Sequence, residues 1–544
     1  MELRTRHIHQ LGQGIYDVLI IGGGINGAAA AAALSARGAR VALLDRGDFA
    51  GFTSQHSSNL IWGGLKYLES YEFALVRKLC LSRNRLLVSY PSRVQEIRFL
   101  VTVEKGFRYH PVWLWLGTWL YWILGNGFTQ PPRWLSRRQI SREAAVVKVT
   151  HSSGGVEYSD ACLPDNDARF VFDFIRAALD WGCIAANYVE SLGARRTGNL
   201  WVTRARDVMT GSEFNVQSKL LINAAGPFVD AHNRLTGQRT EHHHIFSKGV
   251  HLIVERLHPE QRVLAFFADD GRLFFAIPMG TKTCIGTTDT PVEDPFTAVT
   301  AADRRFILDN INKRLNLPKP LTEAAIIAER CGVRPLAIKD RWEGNRDWLQ
   351  LSRKHIIEVN PQDAHISLFG GKLTDCVHIG DELSAWVRQL GITLPQADYR
   401  WYGEPQPAVK AEYLRQAKRM RLNSYTAPFT SELLTDRLWR RYGARACELL
   451  EAIRREPRQA EVLITGTEYL RCEIEQAKQW EMIVKLEDFL RRRSNIAQLV
   501  RQEELRNTPG LLEACQILFG DQAREKFNEY FQAQEIVALQ QKAS

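Results

Sequence analysis

The sequence predicts an α/β protein with a nucleotide-binding β-α-β unit at its N-terminus, a mixed β-sheet region after it and a helical C-terminal part. Three observations lead to this fold class. A glycine-rich turn follows a short apolar strand near residue 20 and precedes an alanine-rich helix. Short strands and turns dominate residues 244–292, and apolar residues recur at helical spacing after about residue 400. With 544 residues, the chain is long enough to bury more than one hydrophobic core.

The glycine-rich turn has the spacing of a dinucleotide-binding motif. In the stretch GGGING, Gly22, Gly24 and Gly27 stand in the G-x-G-x-x-G pattern. The first glycine permits a sharp turn, the second lets the backbone approach a pyrophosphate, and the third lets the helix pack closely on the strand. Asp45 ends the next strand, where an acidic side chain binds the ribose of the adenosine. We therefore predict a dinucleotide with its pyrophosphate at the N-terminus of the alanine-rich helix.

Three later features favour FAD over NAD as this dinucleotide. A stretch rich in serine and glycine, RGDFAGFTSQHSS, follows the second strand. The small residues Ala224, Ala225 and Gly226 come directly after a buried strand, and Gly370 and Gly371 form a second glycine pair. Small residues let a backbone pass close to a cofactor. A chain that returns to one ligand from three distant places is typical of a permanently bound flavin, so we predict FAD.

Composition restricts the partners and the compartment. The net charge of +10 arises from 71 Lys and Arg against 61 Asp and Glu. It suits a phosphorylated metabolite, an acidic membrane surface or nucleic acid, without choosing among them. Nine cysteines without a C-x-x-C pair argue against an iron–sulfur or zinc site and favour reduced thiols in the cytosol. Residues 242–244 are all histidine, but adjacent residues of a strand point to alternate faces, so we predict no metal site there.

One segment favours contact with a membrane surface. Residues 112–124, VWLWLGTWLYWIL, contain four tryptophans and are too few to span a bilayer. Arginines follow at positions 133, 137, 138 and 142. Aromatic residues beside arginines are typical of a helix in the membrane interface; the alternative is a buried core helix followed by a solvated basic loop. The N-terminal residues contain no apolar signal core, so we expect no export signal.

Seven stretches of the sequence carry a resemblance to a known family. In chain order they are DVLIIGGGINGA, SSNLIWGGLKYLESYEF, LINAAGPFVD, KGVHLIV, IGTTDTP, CGVRPL and FGGKLTD. With the helical C-terminal part, they resemble the FAD-dependent, respiratory glycerol-3-phosphate dehydrogenases over nearly the whole chain. The resemblance implies a Rossmann-like FAD-binding domain of the glutathione-reductase and D-amino-acid-oxidase type. This domain, with an interleaved substrate-binding subdomain of mixed β-sheet, would comprise residues 1–400, and residues 401–544 would form a helical C-terminal domain.

The resemblance also implies an activity and its partners. The family oxidises sn-glycerol 3-phosphate to dihydroxyacetone phosphate and passes the electrons from FAD to a membrane quinone. We therefore expect a peripheral, monotopic enzyme on the cytoplasmic side of the inner (cell) membrane. Residues 112–124 occupy the region of an amphipathic stretch in the family. We expect neither nucleic acid nor a metal ion as a partner, and a homodimer is compatible with the resemblance.

The second of these stretches is expected to lie against the flavin. Its positions that match loop residues near the cofactor in the family are Ser57, Ser58, Gly63 and Gly64. Lys66 and Tyr67 match a basic residue and a tyrosine at the substrate, and the resemblance implies that both bind it and take part in catalysis. An ordinary solvated lysine is the alternative for Lys66.

Four basic residues later in the chain are candidates for the chemistry. Oxidation of a secondary alcohol needs a base for the hydroxyl proton and positive or hydrogen-bonding groups for the developing oxygen anion. Arg334 in CGVRPL is our first candidate for binding the substrate and stabilising that anion; an arginine that fixes a turn is the alternative. By resemblance, Lys372 in FGGKLTD lies at the substrate and the cofactor, and His251 in KGVHLIV transfers the proton. Arg353 in LSRKHIIEV matches a further arginine on the phosphate side, and IGTTDTP is expected to shape a turn.

Six positions depart from the pattern of the family. The family usually has lysine, histidine and arginine where this chain has Asn59, Trp62 and Lys66, and KLTTYR where it has KLTDCV. Asp375 in that stretch is expected to bring negative charge close to Lys372. Lysine cannot present the planar fork with which arginine binds a phosphate. The substrate is therefore glycerol 3-phosphate held in an altered way or a related polyol phosphate. A flavin oxidase of another hydroxy or amino substrate, and a membrane flavoprotein without turnover, are the alternatives.

Overall fold

Two sheets and a set of C-terminal helices make up the chain in a computed structural model, which describes residues 2–106, 110–339, 354–428, 430 and 432–543. The strands of the first sheet are β1 (Ile15–Ile21), β2 (Val41–Leu44), β7 (Ile184–Ala186), β8 (Val189–Thr197), β9 (Leu200–Asp207), β10 (Glu213–Asn223), β17 (Ile356–Asn360) and β18 (His365–Phe369). Strands β7, β2, β1, β10 and β18 lie side by side in that order and are parallel. Strand β17 pairs antiparallel with β18, and a hairpin of β8 and β9 pairs with β10.

The alanine-rich segment forms the helix that connects the first two strands. Helix α2 (Ile25–Ala36) is buried over its whole length. It packs between α6 (Asp167–Asp180) and α9 (Cys376–Gln389). Its six consecutive alanines, residues 28–33, have no exposed surface, because small side chains let neighbouring helices approach closely. This packing fixes the position of the glycine turn at the start of α2.

The second sheet is formed by segments that lie between the strands of the first sheet in the sequence. Its strands are β3 (Leu60–Ile61), β4 (Gln95–Glu104), β5 (Arg133–Leu135), β6 (Ser152–Cys162), β11 (His242–Glu255), β12 (Arg262–Phe267), β13 (Leu273–Met279), β14 (Lys282–Gly286), β15 (Thr290–Val292) and β16 (Ala328–Lys339). Their order is β15-β11-β14-β13-β12-β4-β6-β3, with β16 also paired to β11 and β5 to β6. The β12–β4 pair is parallel and the other pairs are antiparallel, so the sheet is mixed. The interleaving that the resemblance implies is thus present.

The longest strand pair of this sheet brings two predicted motifs together. Strands β11 and β16 pair antiparallel from His242 opposite Lys339 to Ile253 opposite Ala328. KGVHLIV lies on β11 and CGVRPL on β16, and the register sets Arg334 opposite Ser247 and Arg330 opposite His251.

Helices cover the sheets and form the C-terminal part. Those of the N-terminal part, besides α2, α6 and α9, are α1 (Leu3–Leu11), α3 (Phe73–Ser89), α4 (Pro111–Leu124), α5 (Arg137–Glu143), α7 (Val229–Leu235) and α8 (Ala301–Arg314). Those of the C-terminal part are α10 (Pro407–Arg419), α11 (Leu434–Tyr442), α12 (Ala446–Arg455), α13 (Arg471–Trp480), α14 (Ile496–Leu499), α15 (Gln502–Arg506), α16 (Leu511–Phe519) and α17 (Ala523–Ala543). The C-terminal helices enclose apolar clusters of their own, which confirms the predicted helical region. A domain boundary at residue 400 stays a prediction.

Buried ion pairs connect the C-terminal part to the loop after β2. The guanidinium of Arg493 donates two hydrogen bonds of 2.8 Å to the carboxylate of Asp48, and neither side chain is exposed. Arg492 binds the same carboxylate at 2.7 Å, and Arg491 donates to the backbone carbonyl of Gln55. The C-terminal part therefore anchors residues 48–55, which lie next to the glycine turn.

Candidate active site

A cavity of about 550 Å³ lies at the carboxyl ends of the parallel strands β2, β1 and β10. In open α/β sheets, ligands bind at this edge. Most of the predicted cofactor residues line it: Gly22, Gly24, Asp45, Ala225, Gly226, Gly370 and Gly371. The distant stretches from which we infer FAD therefore meet around one cavity.

Steric contacts require glycine at two positions of the turn. A Cβ atom at Gly27 would lie 1.8 Å from the carbonyl oxygen of Gly22. A Cβ atom at Gly22 would lie 2.5 Å from the carbonyl oxygen of Ala224, and Gly22 has a φ of +104°. Larger residues cannot occupy these positions without moving backbone, so glycine keeps the turn tight against the start of α2, where a phosphate can bind.

Asp45 is held in place at the end of β2. Its Oδ2 accepts a hydrogen bond of 2.7 Å from the N–H of Gly23, and its Oδ1 accepts one of 2.9 Å from the N–H of Gly47. Burial raises the pKa of this carboxyl to about 6, although the two N–H donors act in the opposite direction. The carboxyl group is therefore oriented on the wall of the first cavity, where it is available to a ribose.

A second cavity, of about 270 Å³, adjoins the first. The two share five lining residues, Ile25, Thr53, Ser54, Pro335 and Gly371. The predicted site residues that line the second cavity are Ser57, Ser58, Tyr67, His251, Arg334 and Lys372. Candidate catalytic side chains from four separate stretches of sequence thus meet beside the candidate cofactor cavity.

Arg334 is fixed by the turn after β14. Its Nη2 donates a hydrogen bond of 2.9 Å to the hydroxyl of Thr287, and its Nη1 donates one of 3.2 Å to the carbonyl of Thr288. The guanidinium lies against Gly249, where a Cβ atom would come 2.2 Å from Nη2. The glycine of KGVHLIV therefore makes room for the arginine, and the threonines of IGTTDTP orient it toward the second cavity.

Tyr67 and Lys372 form a pair across the second cavity wall. The Nζ of Lys372 donates a hydrogen bond of 2.8 Å to the hydroxyl oxygen of Tyr67 and lies 4.2 Å from the centre of its ring. Tyr67 is buried. The two residues are 305 positions apart in the sequence, so the fold brings them together.

His251 is a buried, neutral imidazole on the same wall. It is 3% exposed, and within the described part of the chain neither ring nitrogen has a hydrogen-bond partner. Burial, and then the positive charges of Arg334 and Arg330, hold the pKa of His251 well below its ordinary value. An imidazole in this state has an unprotonated nitrogen that can accept a proton.

The predicted glycine pair of the second stretch lies behind the cavity wall. Gly63 donates its N–H to Oδ1 of Asp160 at 3.0 Å, and a Cβ atom there would come 2.2 Å from the hydroxyl oxygen of Tyr121. Gly64 has a φ of +83° at the start of the turn that carries Tyr67. Neither glycine is among the residues that line the two cavities, so their visible effect is to position that turn against α4.

Two predicted substrate residues are not seen at the cavities. Lys66 is half-buried in the turn before α3 and is not among the lining residues of either cavity. Arg353 lies outside the described residues. Their contact with a substrate stays a prediction.

Asp375 is turned away from Lys372. Its carboxylate accepts a hydrogen bond of 2.9 Å from the hydroxyl of Ser82, lies 2.9 Å from Nδ1 of His355 and lies 3.5 Å from the ammonium of Lys78. It is not among the residues that line the second cavity. The expected negative charge beside Lys372 is thus directed to other partners.

The other departures have different consequences. Asn59 accepts a hydrogen bond of 2.9 Å from Arg330 and donates one of 2.6 Å to the carbonyl of Asp165, which is a structural role. Trp62 lines the second cavity, and its Nε1 donates to the hydroxyl of Tyr158 at 3.3 Å. A large indole therefore forms part of the wall where the family has histidine.

One residue of the second cavity was not found by sequence reasoning. His56 lines the cavity; burial, and then the charge of Arg491, lower its pKa to about 3. The next residue, Ser57, donates from its N–H and its hydroxyl to Oδ2 of Asp167, at 2.8 and 2.9 Å. The only local indication was a histidine between polar residues in TSQHSS. The contact with Arg491 could not be foreseen, because Arg491 is far away in the sequence.

Comparison with family models covers both parts of the chain. Residues 17–357 match the model described as FAD dependent oxidoreductase. Residues 407–525 match the model described as the C-terminal domain of alpha-glycerophosphate oxidase. The first match spans both sheets and includes the residues of the two cavities up to Leu336, so the cofactor of this chain is FAD.

Whole-chain relatives give the same result. Glycerol-3-phosphate dehydrogenase 2 of Mycobacterium tuberculosis (strain H37Rv) is 30% identical over 498 residues, which are 90% of this chain and 82% of the relative. The glycerol-3-phosphate dehydrogenase of Pseudomonas aeruginosa is 30% identical over 491 residues, 89% of this chain and 92% of the relative. A solved structure, the glycerol-3-phosphate dehydrogenase of Bacillus halodurans complexed with FAD, has a TM-score of 0.72 at 22% identity, covers 98% of this chain and 97% of its own, and shows the fold. This chain belongs to the family of FAD-dependent glycerol-3-phosphate dehydrogenases.

Proposed function

We propose that this protein oxidises sn-glycerol 3-phosphate to dihydroxyacetone phosphate and delivers the electrons through FAD to a membrane quinone. The observation that carries the proposal is the second cavity, whose wall combines Arg334, Lys372, Tyr67 and His251 beside the cofactor cavity. Two cationic side chains in so small a space suit a phosphorylated substrate. The names of the curated relatives support the same substrate.

The first cavity fits FAD through groups of this chain. The N–H groups at the start of α2, those of Gly24 and Gly27 among them, would hold the pyrophosphate, and Asp45 would bind the ribose. Gly371 lines both cavities, and a Cβ atom there would lie 2.7 Å from Oδ1 of Asn26. Glycine is therefore needed at this position, and its backbone faces the two cavities. Bound FAD supplies the hydride acceptor.

Arg334 and Lys372 would bind the anionic parts of the substrate. A guanidinium presents a planar fork to two oxygens, whereas an ammonium acts as a point charge. Arg334 would bind the reacting oxygen and stabilise the negative charge that develops as its proton leaves. Lys372, oriented by Tyr67, would bind the phosphate side.

His251 would accept the hydroxyl proton. Its imidazole is neutral because burial and two arginines disfavour the cation. The negative charge of a bound phosphate acts in the opposite sense and raises the basicity of the ring. Arg334 stabilises the alkoxide and so lowers the proton affinity of the substrate oxygen. The proton affinities of the substrate oxygen and of His251 thus become more similar, which favours transfer of the proton.

We propose Lys66 and Arg353 as two further contacts to the substrate. Both match basic positions of the family at the substrate. Lys66 lies in the same 3₁₀ turn as Tyr67, and its charge would attract an anion toward the site. We retain both as substrate contacts and expect them to contribute less than Arg334.

The proposed quinone acceptor requires contact with a membrane. In α4 the buried side chains are the polar Thr118 and Tyr121, while Trp113 is 68% exposed and Ile123 is 60% exposed. A helix that faces water shows the opposite pattern. Among the described residues, no helix has both the length and the apolar character to cross a membrane.

Basic residues follow this helix in the sequence. The arginines of α5 at positions 137, 138 and 142 are exposed. An apolar helix face that is followed along the chain by exposed arginines suits a surface of anionic lipid. We therefore propose peripheral attachment through α4 to the cytoplasmic face of the membrane, where a lipid-soluble quinone is available.

The substrate is tested by anaerobic bleaching of the bound flavin. Holoenzyme is mixed with sn-glycerol 3-phosphate, sn-glycerol 1-phosphate, glycerol, lactate and proline, and the flavin absorbance is followed. We expect rapid bleaching by sn-glycerol 3-phosphate alone. Bleaching by an unphosphorylated acid or amino acid, but not by sn-glycerol 3-phosphate, would contradict the proposal. A quinone analogue should then reoxidise the enzyme faster than oxygen does, and the reverse order would indicate an oxidase.

A further inference from the structure

A cluster of two histidines and a glutamate lies outside both cavities. The ligand atoms of His355, His378 and Glu382 all lie within 4.8 Å of one another. Nε2 of His355 lies 2.9 Å from Oε2 of Glu382, and Nε2 of His378 lies 3.3 Å from the same oxygen. Neither histidine has a role in the proposed oxidation.

The spacing of these atoms suits a small divalent metal ion. His378 and Glu382 are four residues apart on α9, so both side chains lie on one face of the helix. His355 approaches from the chain just before β17. Tetrahedral sites with metal–ligand distances of 2.0–2.2 Å have ligand atoms about 3.4 Å apart. The separations of 2.9 and 3.3 Å from Glu382 would lengthen by about 0.1–0.5 Å around an ion.

The buried histidine is also oriented as a metal ligand. His355 is 5% exposed, and its Nδ1 lies 2.9 Å from Oδ2 of Asp375, so that Nε2 is directed at Glu382. Asp375 is itself fixed by the hydroxyl of Ser82. A carboxylate that holds the far nitrogen of a ligating histidine is the usual support of such sites, because it fixes the ring and makes it more basic.

We propose that His355, His378 and Glu382 bind a Zn²⁺-type divalent ion. Two imidazoles and one carboxylate match the preferences of this borderline ion better than those of Mg²⁺ or Ca²⁺, which favour oxygen ligands. The side chains of His378 and Glu382 are 41% and 35% exposed, which leaves a fourth position for water.

The ion would brace the segment that carries Lys372. The site joins the start of β17 to α9, and the segment from Gly370 to Asp375 runs between them. The Cα of His355 is 3.8 Å from the place of a Cβ on Gly370, and Asp375 supports the ligand. The metal is therefore assigned a structural role next to the active site, independent of the oxidation that we propose.

The test is a titration of tag-free holoenzyme with zinc. The protein is freed of metal with a chelator, checked for full FAD content and titrated calorimetrically with ZnCl₂. We expect one saturable site and a higher denaturation temperature with zinc. His378→Gln and Glu382→Gln should each weaken binding at least tenfold, and Asp375→Asn should weaken it by about 10- to 100-fold. His151→Gln is the matched control, because His151 is exposed and distant in sequence from the cluster, and it should bind as the wild type does.

Two results would overturn the proposal. One is the lack of saturable zinc binding to the wild-type holoenzyme, which would leave the cluster as a hydrogen-bonded network. The other is equal affinity in wild type, His378→Gln and Glu382→Gln, which would place the ion elsewhere. Both variants change partly exposed side chains, and unchanged flavin absorbance and circular dichroism verify that they fold.

Discussion

The two cavities are lined by different types of residue. The cofactor cavity has seven glycines and four alanines in its wall, and the turn at its edge depends on side chains that are absent, as at Gly22 and Gly27. The substrate cavity depends on long side chains that are present, Arg334, Lys372 and Tyr67 among them. The first can be specified by a short local motif, whereas the second requires distant segments to be folded in register.

Their electrostatics differ as well. Asp45 and the start of α2 face the cofactor cavity, where a carboxyl group and N–H groups suit a ribose and a pyrophosphate. The substrate cavity combines the cations of Arg334 and Lys372 with the neutral imidazole of His251. Mutations should therefore separate flavin binding from catalysis, and the following predictions test that separation.

The largest effect is expected at Gly27. In Gly27→Ala the new Cβ meets the carbonyl oxygen of Gly22 at 1.8 Å, so the turn must open and FAD should be lost almost completely. The ratio of flavin to protein absorbance measures this. Gly117→Ala is the control, since a Cβ there has open space, and it should keep its flavin. A flavin-loaded Gly27→Ala would refute the steric account of this cavity.

Substitution of Arg334 should impair catalysis without loss of FAD. Loss of a donor aimed at developing negative charge costs about 2.7–4 kcal/mol, or roughly a hundred- to a thousandfold in rate. Arg334→Lys keeps the charge but loses the fork, so it should stay badly impaired while its FAD content is normal. Reduction of an artificial dye with sn-glycerol 3-phosphate measures the rate.

Arg256 offers a matched control for this variant. Its guanidinium binds the backbone carbonyls of His258 and Gly280, and it lines neither cavity. Arg256→Lys should remain close to wild type in rate. A near-normal rate in Arg334→Lys would remove the forked contact from the mechanism.

His251 should make the protein sensitive to acid. Its folded pKa lies well below the ordinary 6.5, so between these values the unfolded chain binds more protons than the folded one. Stability should therefore fall as the pH drops below about 6.5. His251→Asn should therefore lose less stability than wild type between pH 8 and pH 5 in urea unfolding. An identical loss in both proteins would show that the histidine is not held neutral.

The smallest effect is expected at the membrane face, away from both cavities. Trp113→Ser combined with Ile123→Ser should lower the partition to anionic lipid vesicles by about tenfold, because each apolar side chain loses burial in lipid. Sedimentation with vesicles measures it. Trp181→Ser with Ile536→Ser removes exposed apolar side chains elsewhere, away from both cavities, and should leave the partition unchanged. Equal partition of both double mutants would place the attachment on another surface.

The sequence was informative where the constraint is local. The glycine turn, Asp45 and the alanine-rich helix follow from steric rules within about 30 residues, and each lies where it was predicted. The sequence was less informative where contacts are distant. The partners that turn Asp375 away from Lys372 depend on the packing of α3 and α9, and the position of His56 depends on the C-terminal arginines.

The intermediate case is Lys66. It stands directly before Tyr67, and the match to the family predicts both at the substrate. A 3₁₀ turn points successive side chains in different directions, and only Tyr67 lines the cavity. Two neighbouring residues of one motif therefore need not both line the substrate cavity.

The most direct test of the account is the rate of flavin reduction in anaerobic stopped flow. Wild type and Arg334→Lys, both checked for full FAD content, are mixed with sn-glycerol 3-phosphate and, separately, with glycerol. The account predicts fast, saturable reduction of the wild type by the phosphate ester, a rate lower by roughly a hundred- to a thousandfold in Arg334→Lys, and no reduction by glycerol. Equal rates with glycerol and its phosphate, or equal rates in the two proteins, would contradict the claim that the substrate cavity recognises and activates a phosphorylated alcohol.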